Sequence, residues 1–241
     1  MDFSFELIID SLPQLLAGVG LTLKLVAAAV CLGFFIAVPV AVLRTSRSPL
    51  VQALPFSYVF FFRGTPLLVQ IFLIYYGLGS FEVVRNSPLL WPILREAYWC
   101  ALIAFTLNTA AYSAEILRGA IMAVPFGEIE AAKAIGMTRV QAFRRIILPR
   151  AFRIALPAYG NEIIFMIKGS ALASTITLLD LTGVARRIVA RTYKPVEVFL
   201  AAGILYLIIV YGVTWLLKRL ERRLSITPPR LPVKAEDAGP V

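Results

Sequence analysis

Residues 15–43 read LLAGVGLTLKLVAAAVCLGFFIAVPVAVL, and Lys24 is the one charged side chain among them. A bilayer's hydrocarbon layer is about 30 Å thick and is crossed by roughly 20 apolar residues of helix. The stretch exceeds that requirement. Lipid offers the backbone no hydrogen-bond partners, so such a run closes its bonds internally as an α-helix. Four further runs of the same kind follow at about 54–78, 98–117, 154–179 and 198–217. The expectation is an all-α membrane protein with five transmembrane helices, and an odd number of spans puts the termini on opposite sides. Lys24 sits early enough in an over-long run to snorkel to the outer interface.

Composition agrees with this. Hydrophobic residues make up 59% of the 241 and charged ones 16%, against about 25% charged in a soluble domain. The mean hydropathy is +0.82. No soluble core of this size hides so much apolar sequence. A formal net charge of +10 would suggest nucleic acid in a soluble protein. Here the basic residues cluster between apolar runs, the pattern of charge sorting across a bilayer, and no nucleic-acid partner is expected. With the N-terminus outside, the inner segments 44–53, 118–153 and 218–241 hold 15 of the 24 Lys and Arg, and the outer segments 1–14, 79–97 and 180–197 hold 6. That excess points the N-terminus outward and the C-terminus inward. The outer segment with Arg186, Arg187, Arg191 and Lys194 runs against the rule.

Asp2, Glu6 and Asp10 occupy the stretch where a cleavable leader would be positive, so the first run is expected to stay as a span. The chain has no histidine, which removes the usual neutral-pH acid–base group and every His-dependent catalytic or zinc site. Cys31 and Cys100 lie in apolar sequence without metal-ligand spacing, so both are expected to be inert buried thiols. No cofactor and no metal are expected. The phosphate-binding pattern G-x-x-x-x-G-K-[S/T] does not occur, so no nucleotide site is expected in this chain.

The segment 118–153 is too long and too ordered in composition to be a linker. It mixes Ala and Ile with Arg and Glu at helical spacing. It reads as two cytoplasmic helices, about 126–135 and 138–148, punctuated by Gly136 and Pro149. Ala131, Ala132 and Ala134 make the first a narrow rod that another protein can approach closely. Gly136 supplies the left-handed conformation that ends it. Arg139, Arg144 and Arg145 make the second basic, which suits an inner membrane surface. Pro149 marks the turn into the fourth span. The chain then divides into an outer segment 1–14, a membrane domain 15–224 and a cytoplasmic tail 225–241, whose Pro228, Pro229 and Pro232 predict disorder.

Glu130-Ala131-Ala132, three residues, Gly136, nine residues, then Ile146-x-Leu148-Pro149 fit the pattern E-A-A-x3-G-x9-I-x-L-P at every position. On this loop the chain resembles the permease subunits of bacterial ATP-binding-cassette importers. Arg63-Gly64-Thr65-Pro66-Leu67 with Val69-Gln70, residues 107–112 with Glu115, Arg118-Gly119-Ala120, residues 156–162, and Lys168 with Ser170-Ala171-Leu172 look like the polar amino-acid branch. They are most similar to histidine, arginine and octopine/nopaline permeases. The resemblance covers nearly the whole chain. One departure is Glu128, where many relatives have glutamine; it is read as exposed.

The resemblance implies a type I importer transmembrane domain. In that family the first loop helix docks in a groove of the ATPase and transmits its motion. Gly136 would be hinge or cap, and Glu130 would anchor the loop fold or its contact with the ATPase. The implied partners are a cytoplasmic ATPase dimer, a second permease (a homologous chain or a second copy), an extracytoplasmic solute-binding protein and the lipid of the inner membrane. Hydrolysis would belong to the ATPase, so this chain is a transport subunit with no catalytic residues.

Charges inside spans are costly and face a cavity or a partner. Asn108, Tyr112 and Glu115 recur at i, i+4 and i+7 and so share one helix face; with Arg63, Asn161, Glu162 and Lys168 they are the candidate residues of a substrate pathway. Glu115 either pairs with Arg118 one turn on or meets substrate. Asn161 and Lys168 share a face of the fourth run, with Glu162 beside them. A buried carboxylate there suits a guanidinium or ammonium group of a cationic substrate; the alternatives are a lock with Lys168 or Arg63, or a pair across a subunit interface. Arg63 sits where the Gly-Thr-Pro motif is expected to kink the helix, and either pairs with an acid or binds a substrate carboxylate. The other functional reading is a secondary transporter or channel for small polar solutes, which often shows internal repeats and needs no docking loop.

Overall fold

The computed structural model describes residues 4–224, and these are helical with no strand. In chain order the helices are α1 (Phe5–Arg44), α2 (Pro49–Gly64), α3 (Leu67–Phe72), α4 (Glu82–Arg85), α5 (Trp91–Leu94), α6 (Ala97–Met122), α7 (Phe126–Ala134), α8 (Arg139–Ala142), α9 (Leu148–Gly169), α10 (Leu181–Thr192) and α11 (Pro195–Leu224). Helices α1, α6 and α11 are each long and apolar enough to cross a membrane; the number rises to five if each of two bent pairs counts as one span. The tail 225–241, expected to be disordered, lies outside the described residues.

Helix α1 begins ten residues before the apolar run that predicted it, because the Ser4 hydroxyl accepts a hydrogen bond from the Leu7 N–H at 3.3 Å and caps the end. The described part of segment 1–14 is therefore a helical extension, not a separate element. Its buried residues, Ser11, Leu15, Gly18, Thr22, Leu25, Ala29, Gly33 and Ala37 among them, repeat every three to four positions. This is one helical stripe. The stripe packs on α6, whose Ala-rich sequence is buried on almost every side. Small residues allow that closeness: a Cβ at Gly33 would fall 3.2 Å from the Thr106 carbonyl oxygen and 2.6 Å from Thr109 Cγ2. The opposite faces of α1 and α11 leave Leu16, Phe35, Leu207 and Tyr211 exposed, as lipid requires. Cys100 is buried as expected, but Cys31 is exposed on α1, because it lies off the packed stripe.

Two expected spans differ from straight helices. The run 54–78 breaks at Gly64-Thr65-Pro66, and the chain turns by 107° between α2 and the helix from Leu67 to Ser80. Thr65 adopts φ −114°, ψ 145°, the extended conformation favoured before proline. The fourth run starts earlier than expected. Helical structure continues from Arg139 to Ile176, so Pro149 does not turn the chain and the segment 138–148 is the base of α9. A π turn at Phe143–Ile147 makes this possible. It shifts the bonding so that the Leu148 N–H reaches the Phe143 carbonyl, loosening the ladder where proline has no N–H to offer. Beyond Ile176 the chain bends by 47° into α10. Asp180 caps α10, accepting from the Gly183 and Thr182 N–H groups at 3.0 and 3.3 Å. Leu181, Val184, Ala185 and Ile188 are buried while Arg186, Arg187 and Arg191 are exposed, so these three charges occupy the unpacked face of an amphipathic helix.

Candidate functional site

A helix broken inside an apolar region leaves its last carbonyls without partners, and unpaired carbonyls are costly there. Around Gly64–Pro66 each of four carbonyls, those of Phe61, Phe62, Arg63 and Thr65, finds a side-chain donor. Thr65 Oγ1 donates to the Phe61 oxygen at 2.8 Å. Gln70 Nε2 lies 2.9 Å from the Phe62 oxygen, 3.0 Å from the Thr65 oxygen and 2.8 Å from Thr65 Oγ1. Tyr112 Oη reaches the Arg63 oxygen at 3.5 Å. Asn108 Nδ2 donates to Gln70 Oε1 at 2.9 Å and orients that amide. Asn108 and Tyr112, expected on a substrate-facing stripe, thus also hold the break together. Gln70 is only 2% exposed. No function was expected for it from the sequence, although an amide one turn past a break in an apolar run was a usable signal.

Below this lies a charged cluster. Glu115 pairs with Arg118 as its spacing suggested, with Nη2 3.0 Å from Oε2. It also accepts from Arg44 Nη2 at 2.9 Å and Nε at 3.1 Å, and Arg63 Nη1 stands 3.8 Å from Oε2. Arg44, from the end of α1, was counted in the sequence only as an inner-loop charge; nothing local announces a partner 71 positions away.

A cavity of about 480 Å³ opens beside the break. Asn108 and Tyr112 line one side; Asn161, Glu162 and Phe165 of α9 line the other, with Thr65 and Pro66 at the edge. Glu162 is 8% exposed and has no ion-pair partner within 4.0 Å among the described residues. The lock with Lys168 is not formed: Lys168 is exposed and lies outside the cavity lining. The seven pathway candidates therefore divide. Asn108, Tyr112, Asn161 and Glu162 meet at the cavity, Arg63 and Glu115 belong to the charged cluster, and Lys168 stands apart.

The 118–153 segment forms its own site. Gly136 has φ +77°. Its N–H bonds to the Lys133 oxygen at 2.9 Å, and the Met137 N–H bonds to the Ala132 oxygen at 3.0 Å. These two bonds form a Schellman motif ending α7. Thr138 and Gln141 then form a reciprocal capping box that starts α8. Helix α7 is held from beneath by Ala132, 3% exposed, by Ile129, which packs against the buried cluster that includes Val124, and by an Arg150–Glu128 pair at 3.3 Å. Glu128, read as exposed, has a side chain 36% exposed and is paired with Arg150. Glu130, Ala131 and Ala134 face outward, and so do Phe126 and Ile135, 66% and 72% exposed. Ile146 and Leu148 are half-buried at the π turn, and Pro149 is exposed.

A polytopic helical domain that carries a short projecting helix and encloses a cavity with a few polar groups on a mainly apolar lining has the build of a membrane transport subunit. Residues 29–226 match the family model for the binding-protein-dependent transport system inner membrane component, and the chain belongs to that family. It is 48% identical over 233 residues to the nopaline transport system permease protein NocM of Agrobacterium fabrum, covering 93% of this chain and 97% of that one. It is 45% identical over 206 residues to the histidine/lysine/arginine/ornithine transport system permease protein HisM of Salmonella typhimurium, covering 86% and 88%. Among solved structures, an amino acid ABC transporter with histidines superposes with a TM-score of 0.83 at 35% identity, covering 92% of this chain and 100% of that one. These likenesses bear out the resemblance read from the loop and from the polar amino-acid motifs, and with it the type I fold and the permease role.

Proposed function

We propose that this chain carries polar amino acids with a cationic side chain, or opines, inward across the inner membrane, driven by a separate ATPase. The observation that carries this reading is the pairing of an outward-facing α7 with a cavity whose buried acid, Glu162, has no partner of its own. An unpaired buried carboxylate favours a guanidinium or ammonium ligand. The relatives named for nopaline and for histidine, lysine, arginine and ornithine support the same substrate class. The N-terminus lies outside and the C-terminus inside. A solute-binding protein delivers substrate to the outer face, a second permease (a homologous chain or a second copy) completes the pathway, and an ATPase dimer docks on α7. When the ATPase closes on ATP, α7 moves with it. Because α8 and α9 form one helical path past Pro149, that movement is passed directly to the helix bearing Asn161 and Glu162.

The test is uptake of labelled arginine, histidine, octopine and glutamine by cells making the whole transporter, beside an ATPase-dead control. Uptake of a cationic compound or opine that vanishes in the control is expected. Uptake that survives the control would move the secondary-transporter reading to first place. Gly136→Pro and Glu130→Lys should abolish uptake while membrane insertion stays normal; wild-type uptake in both would overturn the docking role of α7.

A further inference from the structure

We propose that the groove between the end of α1 and helix α2 is a binding site for the phosphate of an anionic phospholipid. The groove has a volume of about 260 Å³ and is lined by Arg44, Phe56, Val59, Phe60, Arg63 and Gly64. It is separate from the substrate cavity, and neither Asn161 nor Glu162 borders it.

Charge balance carries the inference. Three guanidinium groups, from Arg44, Arg63 and Arg118, gather within 4.0 Å of one carboxylate, Glu115. Both oxygens of Glu115 are engaged by Arg44 and Arg118 at 2.9 and 3.0 Å, whereas Arg63 stands off at 3.8 Å. Counting Glu162, which borders the neighbouring cavity, as a second acid still leaves positive charge in excess. Unbalanced charge among apolar helices is expensive. The cost falls if an anion with several acceptor oxygens bridges the planar donors of two arginines. Arg63 has the donors to spare: its side chain is 44% exposed, against 12% for Arg44.

The groove's rim says what kind of anion fits. Phe56 and Phe60 stack on one another, 6.0 Å between centroids, and are 50% and 71% exposed. The Arg44 guanidinium lies 4.9 Å from the Phe56 ring centroid. Leu50 and Leu54, 88% and 80% exposed, continue the apolar surface along α2. A free inorganic anion gains nothing from such walls, whereas a phospholipid lays its chains on them while its phosphate meets Arg44 and Arg63. Arg44 is the last residue of a helix long and apolar enough to cross a membrane, and basic residues at such ends attract anionic headgroups.

The experiment is native mass spectrometry of the complete transporter from nanodiscs holding equal phosphatidylglycerol and phosphatidylethanolamine. Selective retention of phosphatidylglycerol is expected. Arg63→Gln leaves Glu115 paired with Arg44 and Arg118 and should cut that retention about tenfold, as loss of a charged hydrogen bond predicts. Phe60→Ser keeps every charge and should also reduce it; this variant carries the test if Arg63→Gln fails to fold. Equal retention by wild type and Phe60→Ser, or no preference between the two lipids, would overturn the proposal. So would displacement of the lipid by inorganic phosphate, which would make the groove a free-phosphate site, or by arginine, which would assign Arg63 to a substrate carboxylate.

Discussion

The break at Gly64–Pro66 and the loop from Glu130 to Pro149 both combine a glycine and a proline, yet the chain resolves them by different means. At the break, side chains do the work: Thr65 and Gln70 from the same stretch and Tyr112 from α6 cover carbonyls that α2 leaves open, and Asn108 steadies Gln70. In the loop the backbone serves itself. Gly136 and Met137 close α7, Thr138 and Gln141 open α8, and a π turn carries the helix past Pro149. The residues before the two prolines register the contrast. Thr65 is extended, with ψ 145°, while Leu148 remains helical, with ψ −48°. Proline alone decides neither outcome. What differs is the kind of donor: side chains (Thr65, Gln70 and the distant Tyr112) meet the carbonyls at the break, whereas backbone N–H groups meet those that end α7.

If that contrast is right, substitutions around the break should cost more stability than those in the loop, and loop substitutions should act on coupling. The largest loss is expected from Glu115→Gln, which leaves Arg44 buried among arginines without an acid; removing one partner of such a pair costs about 3 kcal/mol. Thermal unfolding of the purified transporter should show a clear fall in Tm, and an unchanged Tm would remove the cluster as a stabilising element. Gln70→Leu comes next, at about 2 kcal/mol, because buried carbonyls lose their donor; Asn108→Ala should then add little on top, which a double-mutant cycle measures. Gly136→Ala places a Cβ in a left-handed conformation, a strain of roughly 1–2 kcal/mol. Its stronger effect is expected on transport per ATP hydrolysed, measured in proteoliposomes. Thr138→Ala removes one half of the capping box and should cost about 1 kcal/mol. The smallest change is expected from Pro149→Ala, within about 0.5 kcal/mol, the range of substitutions that remove no cap, core contact or pair. A large loss of Tm there would mean that proline itself holds the π turn, and the contrast would fail.

The same division governs what was legible in the chain. The apolar runs, the left-handed Gly136 and the kink at Gly-Thr-Pro follow from nearest neighbours and were read correctly. The turn expected at Pro149 was wrong because a π turn has no strong local signature. Cys31 was misplaced because hydropathy does not say which face of α1 is packed. Glu115 and Arg118 were paired by spacing, but Arg44 and Arg63 reached the same carboxylate only through the packing of α1, α2 and α6.

By itself the sequence determined that the chain is a helical membrane protein, where its apolar runs lie, and the spacing of the loop, because each rests on chain length, hydropathy and turn chemistry within a few residues. Only the tertiary structure decided that Gln70 and Asn108 hold a broken helix, that Glu162 lines a cavity without a partner, and that Glu115 gathers three arginines. Those outcomes depend on distances between residues far apart in the chain, set by how closely small side chains such as Gly33 let the helices approach.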